Sequence, residues 1–308
     1  MSKKIGLALG GGGARGLAHL GILKVLEDNK VPIHCISGTS MGAIIGACYA
    51  VEPDIRFVDA KVRKVLSGSL FADLKIDMFS NTDKENVKGF LPRTKALIID
   101  GIMRIIGEAK YSYLPEAKLE QFINLLLPDI DIKETELCFS CVATDLTNGK
   151  EKIFDRGSLR RTVLASSAIP GVFPPVEIDG IYYNDGGSVD VTPVKAAGEL
   201  GADFIIACDV KSKVMRWEKP EKANEILNRS NYITGSLLNE YNLRGAAVVV
   251  APAVKHIHWT GFDKIDFLSQ KGLEAAEEKM PEIRKAYGKR TMLGRFAEAL
   301  GINKLLKR

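Results

Sequence analysis

Apolar and polar positions along this chain alternate between two periods. Short apolar runs at 5–9, 33–36, 137–143, 204–208 and 246–251 are bounded by glycine or polar residues and predict buried strands. Between them lie stretches of helical spacing. Leu17, Leu20, Leu23 and Leu26 recur through 16–29, and 41–51 carries the small residues Ala43, Gly46, Ala47 and Ala50, which suit close packing on a sheet. Further helices are expected at 159–167, at about 193–200, and in two closing segments at about 269–287 and 291–306. The pairs 176–178 and 181–183 flank Asp179-Gly180, a two-residue hairpin signal. Such βαβα order predicts an α/β fold: a three-layer α/β/α arrangement with a mostly parallel central sheet.

One region breaks the alternation. From about 67 to 135 no strand is expected. Helical patterns stand at 55–66, before it, and at 116–127, and 97–106 is the most apolar helical segment. A helical insertion of this length reads equally well as a cap or lid and as an ordinary packed layer. Neither linker composition nor repeats divide the chain, so 1–308 is expected to form one domain.

Composition adds modest limits. With 308 residues, 46% hydrophobic and 26% charged, the chain is ordinary for a soluble globular protein. A net charge of +5 from scattered basic residues is too weak to argue for nucleic acid. It is compatible with peripheral contact at the inner face of an anionic membrane, although a solvated surface accounts for it more simply. The apolar segments 97–106 and 291–306, the second bearing Leu293, Phe296, Leu300 and Leu305, are the candidates for such contact. Glycines break the N-terminal apolar stretch too early for a signal peptide, and no run approaches a membrane span, so a cytoplasmic location is expected. The five cysteines (35, 48, 138, 141, 208) fit a reduced core. Cys138 and Cys141 form a CxxC on a strand, where that spacing sends them to opposite faces, so neither a metal nor a redox role is expected.

The chemistry gathers after the first two strands. Gly10-Gly11-Gly12-Gly13-Ala14-Arg15-Gly16 lies between a strand and a helix and satisfies GxGxxG. A dinucleotide site would want a carboxylate at the end of the second strand, where this chain has Ser37-Gly38-Thr39-Ser40. A P-loop fails because Leu17 follows Gly16. The remaining reading is an oxyanion hole: successive glycines let backbone N–H groups converge, and the following helix adds its positive end. Arg15 either fixes the loop, favours an anionic head group, or is a plain surface residue.

Gly38-Thr39-Ser40-Met41-Gly42 is a GxSxG nucleophile elbow between strand and helix. A serine needs a base. The four histidines are His19, His34, His256 and His258, and an α/β-hydrolase order of Ser40, Asp185, then His256 or His258 is formally available. The elbow stands unusually early for that fold. Asp145, Asp185 and Asp209 each follow an apolar strand, where active-site groups of parallel sheets gather, and Gly186-Gly187 after Asp185 permits close approach.

Taken together these pieces resemble the patatin-like phospholipase family. Gly11 to Gly16 looks like its oxyanion loop, Gly38 to Gly42 its elbow, and Asp185-Gly186-Gly187 its catalytic Asp-Gly-Gly motif; Ala143-Thr-Asp-Leu146 and Ala165 to Gly171 are supporting stretches. The resemblance covers about 1–210 and implies a Ser40–Asp185 dyad without histidine. It implies Gly11, Gly12 and Gly13 as oxyanion donors, with Arg15, Gly16, Gly38, Gly42, Gly186 and Gly187 in support. It also implies a lipid acyl ester as substrate and no cofactor. An acyltransferase or thioesterase with the same nucleophile, and a non-catalytic lipid-binding module, remain as rivals.

Overall fold

The computed structural model describes residues 4–73, 111–211, 214 and 223–299. Among the described residues, eight strands form one sheet: β1 (Ile5–Leu9), β2 (Ile33–Thr39), β3 (Cys138–Asp145), β4 (Lys150–Phe154), β5 (Val176–Ile178), β6 (Ile181–Asp185), β7 (Phe204–Cys208) and β8 (Val248–Val250). The helices are α1 (Ala18–Asp28), α2 (Met41–Val51), α3 (Ile55–Leu66), α4 (Ser69–Asp73), α5 (Glu116–Leu126), α6 (Leu159–Ser167), α7 (Val194–Glu199), α8 (Ala223–Asn242) and α9 (Ile265–Ala299).

Strands β3, β2, β1, β7 and β8 run parallel in that order, while β4, β5 and β6 join antiparallel at one edge. The sheet is therefore mixed, with a parallel centre. Alternation along β1 explains the unequal layers. Ile5, Leu7 and Leu9 enter the large core with α1, α2, α3, α5, α6 and α9. Gly6 and Ala8 face the other way, and a Cβ on Gly6 would lie 2.6 Å from the Cβ of Ala202. Small residues there let α7 approach the sheet closely.

One detail of β3 positions the site. Along one side of this strand β2 pairs with its first half, up to Thr39 opposite Val142. On that same side β6 takes over, from Asp185 opposite Ala143. The opposite side of β3 is occupied by β4, which covers Cys141 to Asp145. Strands β2 and β6 thus abut end to end, and their C-terminal residues meet.

Most expected elements stand within a residue or two of their expected bounds. Asp179 (φ 53°) and Gly180 (φ 76°) make the hairpin turn between β5 and β6. Cys138 is exposed and Cys141 buried, as alternation requires. Of the 67–135 region, α5 buries Leu119, Phe122, Ile123 and Leu126 in the large core, so that part is a packed layer. The 97–106 segment lies outside the described residues. Two corrections arise. The expected pair of closing helices is a single helix across 265–299, because one glycine, Gly288, costs a helix only about 1 kcal/mol. Its expected continuation from 300 to 306 lies outside the described residues. Strand β4 and helix α8 were not anticipated. β4 is short and charged (Lys150-Glu-Lys-Ile-Phe154), and α8 turns its apolar residues outward.

Candidate active site

Ser40 stands where β2 gives way to α2. Its backbone adopts φ 54° and ψ −124°, a conformation that costs a non-glycine residue about 1–3 kcal/mol. The surroundings hold it there. Ser40 N–H donates to Ser166 Oγ (3.1 Å), which itself donates to Val142 O (2.6 Å). Ser167 Oγ donates to Ser40 O (3.4 Å), and Thr39 Oγ1 donates to Asp190 O (2.9 Å). Gly42 allows the sharp turn, since a Cβ on it would lie 2.1 Å from Leu9 O.

Asp185 ends β6, and Ser40 and Asp185 are both buried. The Ser40 side chain lies against the Asp185 carboxylate and favours its charged form, and Oδ1 accepts Gly187 N–H at 2.8 Å. Its backbone is tied by Asp185 N–H to Ala168 O (2.9 Å) and by Thr144 Oγ1 to Asp185 O (2.9 Å). Burial pushes the carboxyl up to about 6, and Ser40 and Gly187 pull it back only partly.

The glycine loop passes beside Ser40, and a Cβ on Gly11 would lie 3.2 Å from the Ser40 Cβ. Its N–H groups are not equivalent. Gly10 N–H donates to Cys208 O (3.0 Å), Gly11 N–H to Val191 O (2.8 Å) and Ala14 N–H to Trp259 O (2.7 Å). Among the described residues, the N–H groups of Gly12 and Gly13 have no protein acceptor. The expected donor trio Gly11, Gly12 and Gly13 is therefore divided, because Val191 already engages the first. Gly13 (φ 56°) sits so close to Trp259 O that a Cβ would lie 2.5 Å from it.

Arg15 Nε donates to Gly12 O (3.1 Å), fixing the loop from outside. Around it lies a cationic group with one carboxylate. Asp209 accepts Asn239 Nδ2 (3.2 Å) and Lys211 N–H (3.1 Å), and Lys255 Nζ stands 3.5 Å away. Burial pulls Lys211 down to about 8, opposed by Asp209 and assisted by Arg15. Asp190, pushed up to about 7 by burial, accepts Asn242 Nδ2 (2.9 Å). Asp145 turns instead to Asn148, whose N–H it accepts at 2.8 Å.

The histidines are occupied elsewhere. His19 is buried and its Nε2 donates to Gly10 O (2.8 Å); burial lowers it to about 4, so the ring is neutral. His34 meets Ile5 N–H (3.2 Å) at the start of β2, His256 packs edge-on to Phe267, and His258 Nδ1 pairs with Thr260 Oγ1 (2.7 Å). In the sequence Ser166 and Ser167 stand out only as part of the stretch from Ala165 to Gly171. Their contacts cross to another strand and helix, so no local spacing marks them.

A family model described as patatin-like phospholipase matches residues 7–197. The chain belongs to this family. An NTE family protein of Mycobacterium tuberculosis is 30% identical over 241 residues, covering 77% of this chain and 58% of that protein. Lysophospholipase NTE1 of Candida glabrata is 32% identical over 227 residues, covering 73% of this chain and 11% of the yeast protein. This patatin-like chain thus spans little more than half of the mycobacterial relative and a small part of the fungal one. Among solved structures, VipD from Legionella pneumophila aligns over 90% of this chain and 66% of its own, at 16% identity and a TM-score of 0.47. Among the described residues, no helix of this patatin-like protein is long and apolar enough to cross a membrane.

Proposed function

We propose that the chain is a serine hydrolase of lipid acyl esters working through a Ser40–Asp185 dyad. The observation that carries this reading is the strained Ser40 at the junction where β2 meets the buried Asp185 at the end of β6. Ser40 Oγ attacks the acyl carbonyl carbon while its proton passes to Asp185. An unperturbed aspartate, at about 3.9, is a weak base near neutrality. Raised to about 6, Asp185 holds a proton better while remaining mostly ionised at neutral pH.

The developing oxyanion needs donors not already engaged. Gly12 and Gly13 N–H meet that requirement, and Gly11 instead supports the floor of the site under Ser40. Asp185 then protonates the leaving alcohol. Water attacks the acyl-enzyme, gives its proton to Asp185, and the Ser40 hydroxyl is restored. Membership of the patatin-like family supports a lipid ester as the acyl donor. Lysophospholipase is the activity named for the fungal relative, and a lysophospholipid is the first substrate to try. Hydrolysis of lysophosphatidylcholine by the wild type, and its loss in folded Ser40→Ala and Asp185→Asn proteins, tests the proposal. Turnover retained in either variant would refute it.

A further inference from the structure

Helix α8 is amphipathic in the reverse sense. Its inward residue Asn239 is 4% exposed and polar, whereas Leu227 (63%), Leu237 (61%) and Tyr241 (66%) face outward. Ile226, Ile233 and Leu238 extend the same exposed face. At 3.6 residues per turn these six positions fall within an arc of about 140°. The other positions in that arc are Ala223, Ser230 and Thr234, all uncharged. Glu240 and Arg229 lie just beyond one edge.

Polar bonds tie the helix to the sheet ends. Asn239 Nδ2 donates to Asp209, and Asn242 Nδ2 donates to Asp190. Both anchors belong to the site. Val210, next to Asp209, packs on Gly12, where a Cβ would lie 3.0 Å from its Cγ2. The carbonyl of Asp190 accepts the Thr39 hydroxyl beside Ser40. The helix that carries the exposed apolar face is therefore anchored to the walls of the hydrolytic centre.

We infer that the outer face of α8 is the surface with which this protein lies on an anionic lipid bilayer. It rests on the reading of the substrate as a lipid ester, since a hydrolase of such esters must meet them at an interface. The charge pattern fits that occupant: an uncharged aliphatic arc bordered by Arg229 and Arg244, with one acid, Glu240, between them in sequence. Arg244 stacks at 5.6 Å from the Tyr241 ring. A tyrosine at the C-terminal end of an apolar face suits the boundary between acyl chains and head groups. Energetic centres of protein partners favour Trp, Tyr and Arg over the Leu, Ser and Thr that dominate this arc. The segments expected from sequence to touch a membrane, 97–106 and 291–306, play no part in this inference.

Flotation with vesicles of equal parts phosphatidylcholine and phosphatidylglycerol is the test, run on full-length Ser40→Ala protein so that turnover does not alter the lipid. Adding Leu227→Ser and Leu237→Ser together is expected to lower the bound fraction at least about tenfold. In the Ser40-intact protein the same pair should leave hydrolysis of a water-soluble short-chain ester unchanged. Wild-type-level flotation of the double variant would overturn the inference, as would no flotation of the parent protein. A dimer that the pair converts to monomer, with vesicle binding intact, would assign the face to a second copy and also overturn it. Flotation is read independently of turnover, so failure of the Ser40 mechanism would appear separately in the ester assay.

Discussion

Thr39 and Asp185 occupy consecutive rungs on the same side of β3, Thr39 opposite Val142 and Asp185 opposite Ala143. The proposed nucleophile follows one of them and the proposed base is the other. Two strands of opposite direction share a single side of β3, and their junction brings Ser40 to Asp185. The proposed dyad is thus a consequence of register. Packing at the junction is tight, because a Cβ on Gly186 would lie 2.2 Å from Val142 O.

Ser166 secures this junction by accepting from Ser40 N–H while donating to Val142 O. Ser166→Ala leaves both backbone groups buried without partners, at a cost of roughly 1–3 kcal/mol. The nucleophile also loses its alignment, and kcat should fall by about tenfold to a hundredfold. KM should change little, since Ser166 holds backbone rather than substrate. Urea denaturation and steady-state kinetics on one preparation measure both effects.

Asp185 must be ionised to take the Ser40 proton. Its carboxyl stands at about 6, so kcat/KM should fall about tenfold per unit below that pH and level off above it. Asp190, at about 7, reaches Thr39 only through its backbone carbonyl, so Asp190→Asn should keep the midpoint near 6. A midpoint that moves with Asp190→Asn would reassign the titrating group.

The same shift has a stability consequence of opposite sign to the usual carboxylate. The folded state holds the Asp185 proton more tightly than the unfolded chain, whose aspartates titrate near about 3.9. Its contribution is complete below that value and is lost as pH rises through about 6. Asp185→Asn removes the burial cost of the charge and still offers an acceptor to Ser40. At pH 8 the variant should be more stable than wild type by an amount on the order of 3 kcal/mol, with the gap closing towards pH 4. Equilibrium denaturation at both pH values checks this.

Gly13→Ala places a Cβ against Trp259 O in a left-handed backbone position. The loop must shift, and the donors of Gly12 and Gly13 shift with it. Loss of one oxyanion donor typically lowers kcat by about a hundredfold to a thousandfold. Rates with a soluble ester measure this, and a near-normal rate would place the oxyanion elsewhere.

Much of this was legible in the chain. The apolar runs that became β1, β7 and α2 carry their own boundaries, and Asp179-Gly180 announces its turn. The elbow and the Asp-Gly-Gly motif are local patterns. What was hidden depends on partners distant in sequence. Val191 decides that Gly11 is not a free donor, and Ser166 braces Ser40 from α6. Helix α8 escaped notice because core-seeking periodicity is the usual signal of a helix, and its apolar stripe faces outward.

The most direct measurement of the dyad is the rate of fluorophosphonate labelling, with the modified residue mapped by peptide mass. Wild type should label at Ser40, and Ser40→Ala should not label. Folded Asp185→Asn should label more slowly by about a hundredfold to ten-thousandfold, the range expected for loss of a general base. A variant bearing His256→Ala and His258→Ala should label at the wild-type rate. Labelling of Asp185→Asn at the wild-type rate, or loss of labelling with the two histidines, would contradict the Ser40–Asp185 mechanism.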